Sequence, residues 1–95
     1  MENQHRKITG YRELSQYEID LMNRIKAKGE ELGSLVEEVT KHLIDQRDAS
    51  QLNSSSDEFN RIRRADPVSW AVKGELDLKV GIMALVRSVA QPTSF

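Results

Sequence analysis

The 95-residue sequence contains no cysteine. That absence removes disulfide staples, thiolate metal sites and thiol nucleophiles together, and it fits a reducing compartment. Aromatics are scarce: Tyr11, Tyr17, Phe59, Trp70 and Phe95 are all there are, so the core must be aliphatic. There are two prolines and five glycines. No apolar run reaches membrane-spanning length, and the opening Met-Glu-Asn-Gln-His-Arg-Lys lacks the apolar stretch of a signal peptide. A cytoplasmic protein without a membrane partner is expected. Charge of one sign is missing too. Lys and Arg number 14 against 15 Asp and Glu, for a net charge of -1, which gives no general attraction to DNA or RNA polymers.

What is present is helical periodicity in one domain spanning 1–95. The residues before Ser15 are polar, and Ser15-Gln16-Tyr17-Glu18 matches a capping box that opens a long helix. Met22, Ile25, Gly29, Leu32, Val36, Val39 and Leu43 follow at alternating three- and four-residue steps, which is one seam of a helix. Gly29 lies on the seam and Gly33 beside it, and each costs about 1 kcal/mol relative to alanine in a helix interior. Close helix packing is the favoured reason, with direct approach of a ligand as the alternative.

Asp48–Asp57 is rich in residues that compete with helical hydrogen bonds and is expected to be a loop. A short helix is expected over Glu58–Arg64. Asp66-Pro67 then reads as an N-cap followed by proline at the first helical position. The last helix runs to about Ala90, where Pro92 stops it. Its seam is Ala71, Gly74, Leu78, Ile82, Leu85 and Val89, and Val80, Met83, Ala84, Val86 and Ala90 add apolar atoms on adjoining faces. One partner helix cannot cover that surface. The fold class is all-α: a helical hairpin of two main helices, with short N-terminal and linking helical segments, that assembles into an oligomer. No strand alternation or repeat occurs.

Catalytic chemistry finds little support. His5 and His42 lack metal-ligand spacing, the pairs Glu30-Glu31 and Glu37-Glu38 suit a solvated helix face, and Ser54–Ser56 has no base partner in a nucleophile pattern. Phosphate-loop and dinucleotide fingerprints are absent. No enzyme activity, metal or cofactor is expected. What remains is Tyr11 in Gly10-Tyr11-Arg12 and the cation run Asn23-Arg24-Ile25-Lys26-Ala27-Lys28. A ring can stack on a base while a cation meets its phosphate. Equally, Tyr11 can pack on the hairpin while the lysines face water.

The segments Ile8–Gln16, Glu18–Gly29, Trp70–Gly74, Gly81–Arg87 and Ala90–Pro92 resemble the small phage anti-CBASS proteins of the second described type. Those proteins sequester the cyclic oligonucleotide messengers of bacterial immune systems. The resemblance implies a helical hexamer of interlocked dimers that holds cyclic dinucleotides such as cyclic GMP-AMP between subunits in the infected cell's cytoplasm, without cleaving them. It implies a base-stacking role for Tyr11 and a phosphate role for Lys26. Some family members also hold cyclic trinucleotides through polar and arginine side chains, for which Arg12, Lys28 and Arg64 are the candidates here. A two-helix hairpin has no internal cavity for such a ligand, and a twofold interface would present each residue twice to a nearly symmetric one. The competing reading is a phage coiled-coil adaptor or structural protein without nucleotide affinity.

Overall fold

The computed structural model describes residues 12–53 and 56–93. Every regular element among them is helical: α1 (Gln16–Ser50), a 3-10 turn (Gln51–Asn53), α2 (Asp57–Ala65) and α3 (Pro67–Ala90). The chain divides into two units, one built from Met1–Glu30 with Lys79–Phe95 and the other from Glu31–Leu78. The two long helices therefore each contribute to both units.

The capping box at Ser15 forms in full. Ser15 Oγ accepts from the Glu18 N–H at 3.1 Å, and Glu18 Oε1 accepts from the Ser15 N–H at 2.9 Å. Two backbone donors that the first turn leaves without carbonyl partners are thereby satisfied. The described residues ahead of this cap, Arg12–Leu14, are not helical; the rest of the expected N-terminal segment lies outside the described residues.

The loop expected at Asp48–Asp57 is shorter than the serines and aspartates suggest. α1 continues through Ser50, whose hydroxyl donates to the Arg47 carbonyl at 2.7 Å and so uses an acceptor of the last turn. At its far end Ser56 caps α2, accepting from the Phe59 N–H at 3.0 Å. Asp57 and Glu58 occupy the first turn of α2 and Arg63 and Arg64 the last, the arrangement that complements the helix dipole.

Both prolines follow a residue with left-handed backbone: Asp66 has φ 51° and Gln91 φ 54°. Asp66 donates its N–H to the Ile62 carbonyl at 2.8 Å and so closes α2, while its own carbonyl accepts from the Trp70 N–H at 3.4 Å. The side-chain N-cap expected there is replaced by this backbone C-cap, because an N-cap residue needs extended backbone. Gln91 ends α3 in the same way, donating to the Arg87 carbonyl at 2.8 Å.

Within the first unit, the start of α1 reaches Val89 near the end of α3 through Arg12, and Gly29 lies against Ile82. Residue numbers rise along α1 as they fall along α3, so the helices are antiparallel there. A Cβ built on Gly29 would stand 3.4 Å from Ile82 Cγ2, ordinary contact distance, whereas one on Gly33, Gly74 or Gly81 would meet nothing within 4 Å. Among the described glycines only Gly29 therefore packs against a facing side chain, and at a distance that an alanine would also tolerate. In the second unit, Ile62 of α2 is the best-buried described side chain, at 5 % exposure.

The expected seams are partly re-phased. On α1, Val39 is exposed and Thr40 half-buried in its place. On α3, Gly74 and Leu85 face outward while Glu75 and Val86 are half-buried. A three-four alternation has a period of 3.5 residues, and a straight helix drifts from it by about 20° per heptad. The apolar surface left uncovered includes Leu76, Val80, Met83 and Leu85, with Met83 69 % exposed.

Candidate functional site

The cation run of the first helix does not form one patch. Successive helical residues are about 100° apart, so Lys26 points about 160° away from Lys28, whereas Arg24 and Lys28, at i and i+4, share a face. Lys26 belongs instead to the row Glu18, Met22, Lys26, spaced four residues apart. It is exposed, and it has no polar partner among the described residues. Lys28 does have one.

Met22, one turn before Lys26, lines an open groove of about 480 Å3 in the first unit. The opposite wall is α3, with Val80, Met83, Ala84, Val86 and Ala90, and Pro92 closes the end. Arg87 is the cation on this wall. An apolar trough bordered by Arg87, with Lys26 one turn beyond Met22, has the ingredients for a flat ring and an anion: dispersion surface for one and charge for the other. Sequence reasoning assigned Val80, Met83 and Arg87 to the last helix without seeing that Met22 faces them.

Arg12, ahead of the helix, bonds to Glu18, the first residue of that row. Its Nη2 donates to Glu18 Oε2 at 2.6 Å and to the Val89 carbonyl at 2.8 Å. The Arg12 hydrogen bond, and after it the Ser15 backbone N–H, hold the Glu18 carboxyl at about 2, well below its ordinary 4.5. Tyr11, the residue expected to stack on a base, lies outside the described residues, as does His5.

Arg64 belongs to the second unit, in the last turn of α2, where it is exposed. A separate groove of about 440 Å3 in that unit is lined by Arg47, Phe59, Arg63, Asp66 and Ser69. The Arg63 guanidinium carbon stands 5.9 Å from the Phe59 ring centre, a cation–π distance. Sequence reasoning chose Arg64, yet its neighbour Arg63 is the one that faces this groove. Among the described residues no group of three or more His, Asp or Glu could hold a metal, and no helix is long and apolar enough to cross a membrane.

No family model matches the chain. A curated relative, anti-CBASS protein 2 of Pseudomonas phage JBD67, is 44% identical over 105 aligned positions that cover 97% of each chain. Matching that relative almost end to end, this helical chain belongs to the phage anti-CBASS protein 2 family.

Proposed function

We propose that this anti-CBASS protein is a sponge: it binds cyclic dinucleotides such as cyclic GMP-AMP in the cytoplasm of the infected cell and releases them unchanged. Free messenger then stays below the level that activates the CBASS effector. Tyr11 stacks on a base and Lys26 meets a phosphate. The observation that carries this reading is Lys26, an exposed cation without a polar partner among the described residues, one turn from a groove whose walls are mostly aliphatic. A lysine committed to a helix-surface ion pair would have to exchange that pair for phosphate, and Lys26 makes none among the described residues.

The pocket is completed by association into a hexamer. Val80, Met83 and Leu85 are more than half exposed in the single chain, and contiguous apolar surface of that kind marks an interaction face. The same face suits an adaptor that binds another protein, so the nucleotide decides between the two readings. Cyclic trinucleotides would occupy a second site served by Arg64. Arg12 and Lys28 already have polar partners, which they would have to give up to join it.

Calorimetry against a panel of cyclic di- and trinucleotides tests this. Lys26→Ala is expected to weaken dinucleotide binding with helix content unchanged, and the wild-type affinity is expected to fall with added salt. An adaptor would bind none of the panel.

A further inference from the structure

Arg87 is the second cation at the groove of the first unit, and like Lys26 it is exposed. Its guanidinium makes no hydrogen bond or ion pair among the described residues. Its backbone, by contrast, is held, because the Arg87 carbonyl accepts from the Gln91 N–H at 2.8 Å where α3 ends. The side chain is therefore a free charge on a fixed base.

The register of the two long helices brings that charge to Lys26. Gly29 lies against Ile82 and the helices run antiparallel there. Lys26, three residues before Gly29, is thus level with Leu85, three residues after Ile82. Arg87 is two residues farther, about 3 Å along the axis. The two cations also share one flank of the helix pair. Met22 and Met83 line opposite walls of the groove, and Lys26 and Arg87 each follow their methionine by four residues, about 40° round the helix. Lys26 continues the α1 wall and Arg87 belongs to the α3 wall, with a methionine beyond each cation toward opposite ends of the groove.

Two like charges at one level, with no described carboxylate paired to either, repel each other, and an anion set between them relieves that repulsion. Phosphate suits the pair: the planar guanidinium can donate to two of its oxygens at once, and the ammonium adds a point charge. The thioethers on either side offer soft apolar surface to the rings of the same ligand.

Resting on the reading of Lys26 as a phosphate contact, we propose that Arg87 is a further one: the two side chains close on the same phosphate of a cyclic dinucleotide from opposite walls of the groove. The pair is complete within one chain, whatever contacts association adds.

Titration calorimetry with cyclic GMP-AMP tests this on wild type, Lys26→Ala, three variants of Arg87 and the double alanine variant. Arg87→Ala is expected to weaken binding roughly ten- to a hundredfold, the scale of a hydrogen bond between charged groups. Arg87→Gln keeps most of the length without the charge and is expected to lose as much, whereas Arg87→Lys retains most of the affinity. The salt dependence of binding should become shallower in the alanine and glutamine variants. Because both cations grip one phosphate, the double variant should lose less than the product of the two single losses. Apo melting and the mass by light scattering should match wild type throughout.

Wild-type affinity in Arg87→Ala beside a loss in Lys26→Ala would overturn the proposal and leave the reading of Lys26 standing. Full binding by Arg87→Gln, losses that multiply in the double variant, or an affinity loss that comes with lowered melting or a smaller assembly would also overturn it. Full binding by Lys26→Ala would instead remove the reading of Lys26, and the shared grip with it.

Discussion

Both units pack apolar side chains, Ala90 and Ile82 in the first and Ile62 in the second, but they differ in what fixes their ends. In the first, polar bonds join chain ends: Arg12 bridges Glu18 and Val89, and the capping box locks Ser15 to Glu18. In the second, Ile62 is the best-buried side chain, on a nine-residue helix capped by Ser56 at one end and Asp66 at the other. The difference separates stability from binding. A polar anchor at exposed residues adds little folding free energy but sets geometry, whereas a buried isoleucine does the opposite.

Three substitutions would sharpen or break that contrast. The largest expected effect is Ile62→Ala, which should lower stability by roughly 2–5 kcal/mol through the cavity and lost burial. Thermal melting measures it, and an unchanged melting temperature would mean that Ile62 organises nothing. Ser15→Ala should cost about 1 kcal/mol by removing one half of the capping box, read from denaturant midpoints. Gly33→Ala should gain up to about 1 kcal/mol, since a Cβ there meets nothing within 4 Å. A loss there would mean that something packs over Gly33 in solution.

Acid tests the polar anchor of the first unit. Glu18 binds its proton less readily in the folded protein, at about 2 against an ordinary 4.5. The stabilisation from its pair with Arg12 is therefore fully present above about 4.5 and is lost as pH falls toward 2. Carboxyl chemical shifts of Glu18 followed from pH 6 downward should show a midpoint near 2. A midpoint near 4.5 would mean that the Arg12 bond is not populated in solution.

Local features were legible in the sequence because their causes are local. Ser15 and Glu18 announce the capping box three residues apart, and Pro67 and Pro92 mark where helices must begin or end. The left-handed backbone before each proline was not legible, since aspartate and glutamine tolerate other conformations. Seam phase was half legible: Ile25, Gly29 and Ile82 are where periodicity puts them, but Leu85 and Val86 exchange faces because the real period exceeds 3.5. The candidate site divides the same way. Lys26 stands out by residue type, whereas the bond from Arg12 to Val89 joins residues 77 apart in sequence, and no local pattern encodes it. The cations at 24, 26 and 28 look like one patch when read as a string, and only the helical turn separates them.

Tyr11 offers the most direct test of the central claim, that Tyr11 and Lys26 bind a messenger without altering it. Tyr11→Ala and wild type should be compared by apo melting and by titration with cyclic GMP-AMP, and the bound ligand then recovered by chromatography. The account predicts equal melting temperatures, an affinity loss of roughly 1–3 kcal/mol per stacked base, and intact ligand. Lowered melting with retained binding, or a cleaved ligand, would contradict it.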